Sequence, residues 1–355
     1  SFTCKRTGNA TLFCNVLKTT DSAALGAFVG GLYDLIPGQF LFESNMLSET
    51  LTTFFVVLCF ASFVAFSLVK SSQKRCIAAF LLGIAACLPG MVRPYFFPAT
   101  IFFLPFVWII GKGDWRQRIL RLVIYSIPPL IIQGGWLLWI RNTYHMISPT
   151  VMSGYSLVQH TGEYFELLPD EVAEIRDTYI IFRDAQIAER GVQTNAIWDA
   201  IPAISEASGL GFYDLSRELQ RLSIELIRTH PDRYFSNVVK GWINFWKAPV
   251  YWSAEALRSS MLTASFQVLI VIGRGLSVFA NIIFLLLTMF ALLSKQFRNR
   301  IGFDITSMMT TGFIVMISIV QTLVDHGDNP RFLVPLQMIV VFVVVRSLWK
   351  GKNRE

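Results

Sequence analysis

The feature that most constrains this chain is a succession of long apolar segments separated by short clusters of Lys and Arg. A helix needs roughly 20 apolar residues to cross a hydrocarbon core about 30 Å thick. The segments that meet or approach this length are 21–42, 51–69, 77–91, 95–110, 122–140, 264–293, 305–324 and 332–345. Because the chain is also 53% hydrophobic and only 15% charged, it is too apolar for an ordinary soluble protein. The pattern predicts an all-α polytopic membrane protein with about eight transmembrane helices and one large helical extracytoplasmic insertion.

The apolar stretch 77–110 is too long for one helix and contains helix-breaking residues near its middle. Pro89 and Gly90 come first, and Arg93 and Pro94 follow within the same short region. Proline removes a backbone donor and disfavours helix in the residue before it. We therefore predict two short spans, 77–91 and 95–110, joined by a turn that holds Arg93.

Charge is sorted along the chain. The polar tract 141–262 contains eleven Lys and Arg against fifteen Asp and Glu, whereas the rest contains twenty basic and nine acidic residues. Cytoplasmic loops of membrane proteins are enriched in Lys and Arg, so we expect the basic loops inside and the tract outside. Residues 42–49, the Arg93 turn and residues 325–331 then share the outer side. No basic stripe interleaved with aromatic residues indicates a nucleic-acid partner.

The same reasoning divides the chain into five regions. We predict a truncated N-terminal cytoplasmic segment at 1–20, since the chain begins at Ser1 and shows no signal pattern. The other four are a first transmembrane bundle at 21–140, the helical insertion at 141–262, a second bundle at 263–349 and a cytoplasmic tail at 350–355. None of the five cysteines lies in the insertion, so neither a disulfide framework nor a zinc site is expected there.

Apolar residues recur at helical spacing within the tract, which predicts amphipathic helices. One set is Val172, Ile175, Tyr179 and Phe182, and a second set is Leu215, Leu219, Leu222 and Leu226. A third helix, 234–246, combines aromatic and basic residues in the manner of a helix at the lipid interface.

The candidates for chemistry are acids and arginines at predicted helix ends. Glu49 stands directly before a span, where a carboxylate either caps the helix or serves an active site; capping is the favoured interpretation. Arg93 either binds an anionic ligand or is structural, and both interpretations stay open. Arg331 begins the last span and either meets a lipid phosphate or extends to the interface. Motifs of nucleotide-binding proteins, serine hydrolases and metalloproteases are absent from the sequence.

A short outer loop contains Asp325, His326 and Asp328, which could bind a divalent metal. Short loops between spans are naturally polar, so we expect neither a metal nor another cofactor. These three residues and His145 could also line a cavity at the outer surface. For His145 and the nearby His160, a solvated loop is the favoured interpretation.

Four motifs occur in an order that resembles a known superfamily. They are LFESNMLSETL at 41–51, MVRP at 91–94, THPDRYFSNVVKGWINFWKAP at 229–249 and DNPRFLVPLQ at 328–337. Their order resembles the GT-C membrane glycosyltransferases, in particular the protein-mannosyltransferase-like and aminoarabinose-transferase-like branch.

The resemblance implies an inverting transferase that moves a sugar from a polyprenyl-phosphate donor to an acceptor glycan, lipid or protein on the extracytoplasmic face. It implies that Arg93 and Arg331 bind the donor phosphate and that Glu49 is a carboxylate of the site and a candidate catalytic residue. The chain departs from the pattern at one point. The general base expected in the first external loop has no counterpart in this sequence, and we expect that base upstream of Ser1.

Two other functions fit the same residues. A transporter or flippase of lipid-linked sugars would also place arginines near lipid phosphates, although the sequence lacks the repeated halves typical of transporters. A non-catalytic membrane assembly partner is the third interpretation. The polar tract has no Asn-X-Ser/Thr site, which is compatible with a bacterial inner membrane.

Overall fold

The regular secondary structure is helical throughout the residues that the computed structural model describes, which are 48–250, 259–326 and 329–352. The α-helices are α1 Ser48–Leu68, α2 Ser72–Val92, α3 Ala99–Ile110, α4 Trp115–Tyr144, α5 Ser153–Thr161, α6 Ala173–Arg190, α7 Ala196–Ser208, α8 Phe212–Thr229, α9 Pro231–Trp246, α10 Ser260–Leu293, α11 Lys295–Arg300, α12 Ile305–Val324 and α13 Pro330–Lys352. Short 3₁₀ helices occupy Pro94–Phe96, Gly162–Leu167 and Asp170–Val172. The prediction of an all-α protein is confirmed for these residues.

Six of the described helices are long and apolar enough to cross a membrane. They are α1, α2, α4, α10, α12 and α13. This set is compatible with an integral multi-pass membrane protein. Of the eight predicted spans, 21–42 lies outside the described residues, and 95–110 corresponds to α3, which is only 12 residues long. The predicted N-terminal segment 1–20, which begins at Ser1, also lies outside the described residues.

The break after α2 lies at Arg93, as predicted, but the helix before it is longer than the predicted span 77–91. Helix α2 has 21 residues because it begins at Ser72, before the apolar stretch, and it continues through Pro89 and Gly90, as the predicted span does. A proline inside a helix removes one backbone hydrogen bond, and the apolar α2 retains the others. Pro94 disfavours helical backbone in the residue before it, and Arg93 is accordingly extended, with φ −131° and ψ 109°.

The described residues form two compact units. The first unit contains those up to Gln133, those within Phe245–Ser318 and those from Asn329 onward. The second unit contains Gly134–Asn244 and the described residues from Ile319 to His326. Helices α4, α9 and α12 each contribute residues to both units.

The core of the first unit is built from aromatic side chains and close helix contacts. Helix α13 packs against α1 and α10, and α1 packs against α2. The ring of Phe313 on α12 lies 5.2 Å from Phe60 and 5.8 Å from Phe103, measured between centroids. Gly83 brings α2 close to α4, since a Cβ there would lie 2.2 Å from the carbonyl oxygen of Tyr125.

The core of the second unit confirms the amphipathic helices predicted in the polar tract. Leu215, Leu219, Leu222 and Leu226 of α8 are all buried, as are Ile175 and Tyr179 of α6. Helix α8 packs against α5, and α6 packs against α7. The predicted helix 234–246 corresponds to α9. Its exposed face carries Phe235, Val239 and Ile243.

Candidate functional site

The candidate site is centred on the carboxylate of Glu49, in the first turn of α1. The side chain is completely buried, with 0% exposure. Its Oε1 atom accepts hydrogen bonds from the guanidinium groups of both Arg93 and Arg331. The partial positive charge at the start of a helix adds to this stabilisation of a carboxylate. The described contacts of Glu49 thus favour a role in holding two arginines over the capping role expected from sequence.

Local backbone structure positions each arginine. Pro94 holds Arg93 in extended geometry at the end of α2, and the Arg93 side chain is 16% exposed. Arg331 lies in the first turn of α13, where its backbone N–H donates to Oδ1 of Asn329 at 3.1 Å. Its side chain is 38% exposed. The two guanidinium groups therefore extend from different helix ends toward one buried oxygen.

Two buried polar atoms of this cluster, and the hydroxyl of Tyr95 two residues after Arg93, have no hydrogen-bond partner among the described residues. The two atoms of the cluster are Oε2 of Glu49 and Nε of Arg93. Most buried polar atoms in proteins are hydrogen-bonded, and an unbonded one costs free energy. One carboxylate and two guanidinium groups give the cluster a formal charge of +1. The arrangement can therefore bind an anion, with a free acceptor at Glu49 for a ligand hydroxyl.

The general base expected from the family resemblance has no place in this cluster. The described residues, which begin at Ser48, contain no residue assigned to that role. Glu49 is therefore the only candidate catalytic residue among those that the structure describes. Its contacts with two arginines are those of a group that positions cations.

A second carboxylate cluster lies at the other end of α13. Asp304 precedes α12, where its Oδ1 accepts from the Ser307 N–H at 2.9 Å and the Ser307 hydroxyl at 3.1 Å. Its Oδ2 accepts from Arg346 at 2.6 Å and Lys350 at 3.0 Å. Partial burial raises the pKa of this carboxyl, but the Arg346 charge and these hydrogen bonds outweigh burial and hold the pKa well below its usual range. Asp304 is an N-cap with two cationic partners.

Two arginines near the starts of α2 and α4 also have structural partners. Arg75 and Arg121 are both buried and both donate to the backbone carbonyl of Lys112. Arg75 donates in addition to the carbonyl of Val69 at 3.1 Å, and Arg121 donates to the Ser72 hydroxyl at 3.1 Å. These arginines satisfy carbonyl groups at helix ends.

The other predicted site residues that the structure describes lie in the second unit. Nε2 of His326 is 3.4 Å from Oδ1 of Asn195 and 3.6 Å from Oδ1 of Asp325. His145 is exposed at the end of α4, with φ 56°. Asp328 lies outside the described residues. Residues 48–250, 259–326 and 329–352 contain no group of three or more metal-ligating side chains with the geometry of a metal site.

The interpretation of His160 as a solvated loop residue is wrong. His160 lies in α5 and is 2% exposed. Its ring packs edge-on against Tyr234 at 5.7 Å, and its carbonyl accepts from the Asn237 amide at 2.9 Å. Burial lowers the pKa of His160 to about 4, so its imidazole is neutral near pH 7.

Two parts of these clusters were not identified from sequence. Tyr95 belongs to the predicted span 95–110, and its place two residues after Arg93 gives no signal of a role in the site. The role of Asp304 as an N-cap could have been predicted from sequence. It directly precedes a predicted span, and the side chain of an N-cap residue accepts from the backbone N–H of the third helical residue, here Ser307. The pairing of Asp304 with Arg346 joins residues far apart in sequence and has no local signal.

Comparisons of the chain with protein-family models, with curated proteins and with solved structures give no match. The functional interpretation therefore depends on the geometry and charge of the site itself.

Proposed function

We propose that this protein is an integral membrane glycosyltransferase of GT-C type. It moves a sugar from a polyprenyl-phosphate donor to an acceptor on the extracytoplasmic face, with inversion at the sugar carbon. The observation that carries the proposal is the convergence of Arg93 and Arg331 on the buried Glu49 at the ends of apolar helices. In this proposal the two arginines bind the donor phosphate.

The charge of the cluster supports this ligand. A sugar linked to a polyprenyl phosphate is a phosphodiester with one negative charge, which balances the formal +1 of Glu49, Arg93 and Arg331. When the sugar leaves, the phosphate becomes a monoester and gains negative charge. Guanidinium groups already in place stabilise that charge as it develops in the transition state.

The surroundings of Glu49 suit a lipid ligand. Leu51 and Phe54 lie near the start of α1 and are 47% and 45% exposed. Exposed apolar side chains on a helix of this length and composition are suited to contact with hydrocarbon chains. A polyprenyl chain lying along this face would keep its phosphate near Glu49 and its tail among lipids.

The proposed reaction breaks the bond between the sugar carbon and the phosphate oxygen and forms a bond from that carbon to an acceptor oxygen. The acceptor proton passes to a general base, and polyprenyl phosphate departs with the bonding electron pair. Glu49 Oε1 is shared between two arginines, so we assign Glu49 to holding them rather than to proton transfer. Its Oε2 is the atom available to accept from a hydroxyl of the donor.

The proposal includes the topology expected from charge, with eight spans and residues 141–262 outside the bacterial inner membrane. A cysteine replacing exposed Glu206 should react with an impermeant thiol reagent added from outside. A cysteine replacing exposed Lys295 is the matched control and should react only after the membrane is opened. The opposite labelling pattern would reject this orientation.

A turnover assay tests the transferase proposal. Membranes containing the protein would be incubated with undecaprenyl-phosphate hexoses and pentoses, and released undecaprenyl phosphate would be measured by mass spectrometry. We expect release by the wild type, reduced roughly 10- to 100-fold in Arg93→Gln, since a hydrogen bond to a charged group contributes about 1.5–3 kcal/mol. Arg346→Gln is the matched control and should retain activity. No release from any donor, or equal release by a folded Arg93→Gln variant, would reject the proposal.

A further inference from the structure

Tyr95 has a well-packed ring and an unsatisfied hydroxyl. The ring contacts Phe332 edge-on, with centroids 5.9 Å apart and planes at 87°, and lies 4.7 Å from the ring of Phe96. The hydroxyl oxygen is buried and has no hydrogen-bond partner among residues 48–250, 259–326 and 329–352. Ring packing explains an aromatic residue at this position, but phenylalanine would provide the same packing without the unbonded hydroxyl.

The position of this hydroxyl relates it to the arginine cluster. Tyr95 follows Arg93 by two residues in the same break, and its ring partner Phe332 directly follows Arg331. The hydroxyl therefore belongs to the same site as the unpartnered Nε of Arg93 and Oε2 of Glu49.

We propose that the Tyr95 hydroxyl and Arg93 Nε donate hydrogen bonds to the anionic oxygens of a bound phosphodiester, while Glu49 Oε2 accepts from a hydroxyl of the same ligand. This inference rests on the proposed function for the polyprenyl donor, but its shared chemistry is that of any lipid phosphodiester. A phosphodiester offers acceptor oxygens to both donors, and its single negative charge balances the cluster. Tyr95 is thus a ligand-binding residue that takes no part in proton transfer.

The inference predicts effects of opposite sign for ligand-free stability and for ligand affinity. Tyr95→Phe removes an unbonded buried hydroxyl, so the ligand-free protein should be as stable as the wild type or more stable. The same change should weaken phosphodiester binding roughly 10-fold, as expected for one lost hydrogen bond to a charged group. A purely structural tyrosine would lose stability when its hydroxyl is removed.

Tyr125→Phe is the matched control. The Tyr125 hydroxyl is also buried in the first unit, but it donates to the carbonyl of Thr100 at 2.8 Å. This variant should unfold at a lower temperature and bind the phosphodiester with wild-type affinity. Comparing Tyr95→Phe with Tyr125→Phe therefore distinguishes a hydroxyl that bonds to the ligand from one that bonds within the protein.

The experiment titrates the purified protein with undecaprenyl-phosphate mannose and, separately, with dioleoylphosphatidylglycerol, and records affinity and unfolding midpoint for each variant. Weaker binding of either lipid by Tyr95→Phe, with no loss of ligand-free stability, would support the inference. Binding of phosphatidylglycerol alone, with the same dependence on Tyr95, would support it while rejecting the polyprenyl donor. Equal affinity of Tyr95→Phe and wild type, a lower midpoint for ligand-free Tyr95→Phe, or no binding of either lipid by the wild type would overturn it.

Discussion

The two ends of α13 carry clusters of the same composition, each with one carboxylate and two basic side chains. Arg331 near the start of α13 binds Glu49, and Arg346 near its end binds Asp304. The two arginines are 15 residues apart, which corresponds to about 22 Å along a helix. Each cluster has a formal charge of +1. Composition alone therefore gives no reason to assign them different roles.

Hydrogen-bond satisfaction separates the two clusters. Both oxygens of Asp304 have partners, and its side chain is 45% exposed. Glu49 is fully buried, with one oxygen shared by two arginines and the other unbonded among the described residues. Arg93 and Arg346 each have a buried Nε with no hydrogen-bond partner among the described residues. The arginines therefore do not distinguish the two clusters. The carboxylates do: Asp304 is a satisfied helix cap, whereas the unbonded oxygen of Glu49 supports the ligand site that we propose there.

The largest effect should follow removal of the Glu49 carboxylate. Glu49→Leu leaves two guanidinium groups facing each other without their shared anion, and removal of one partner of a buried ion pair costs about 3 kcal/mol or more. The unfolding midpoint of the purified protein measures this loss. A midpoint equal to that of the wild type would contradict the arrangement of the cluster.

A triple variant serves as the control for that loss. Glu49→Leu combined with Arg93→Met and Arg331→Met removes all three charges, and apolar replacement of a buried ion cluster is often neutral or stabilising. This variant should recover much of the lost stability but bind no lipid phosphate. Recovery of lipid binding together with stability would place the ligand site elsewhere.

A smaller effect is expected at the other end of α13. Asp304→Ala removes a helix cap and two cationic contacts that are partly exposed to solvent, so a loss of about 1–2 kcal/mol is expected. The same unfolding assay measures it. Binding of lipid phosphate should be unchanged, because the hydrogen bonds of Asp304 are to the start of α12 and to Arg346 and Lys350. A variant with normal stability but weakened lipid binding would reverse the assignment of the two clusters.

Two further predictions concern steps in the pH dependence of stability. The pKa of Asp304 is held below its usual range, and an unfolded aspartate titrates near about 3.9. Its stabilising contribution is therefore fully present above that pH and is lost as pH falls further. Unfolding midpoints measured between pH 5 and pH 3 should fall less steeply for Asp304→Asn than for the wild type.

His160 should produce a separate step at higher pH. Its pKa is about 4 in the folded protein, and an unfolded histidine titrates near about 6.5. The unfolded state then binds more protons between these values, so stability falls as pH decreases from about 6.5 to 4. His160→Gln should remove this step and leave the Asp304 step intact. A pH profile without separate steps would contradict the lowered pKa of either His160 or Asp304.

The helical fold was largely predictable because the relevant signals are local. Apolar length and breaker residues located the six long helices, and the leucine spacing of α8 identified its buried face. The start of α2 was not predictable from apolar length, because its first residues, from Ser72, include the polar side chains of Lys74 and Arg75. His160 was misjudged because its burial depends on packing by residues distant in sequence, including Tyr234.

The candidate site was predictable only in part. Residue type and position at helix ends singled out Glu49, Arg93 and Arg331. Their sharing of one oxygen atom could not be read from sequence, since the pairs are separated by 44 and 282 residues. The unbonded atoms that distinguish this cluster from the Asp304 cluster depend on side-chain geometry. Sequence therefore gave the residues of the site but not the feature that separates a ligand site from a cap.

The most direct test of the Glu49 cluster as a lipid-phosphate site is native mass spectrometry of the protein extracted in mild detergent. The comparison needs the wild type, Arg93→Gln and the control Arg346→Gln at the other end of α13. Polyprenyl phosphate or its sugar ester should remain bound to the wild type and to Arg346→Gln and be lost from Arg93→Gln. Ordinary phospholipid alone in all three, or polyprenyl phosphate retained equally by Arg93→Gln, would contradict the assignment.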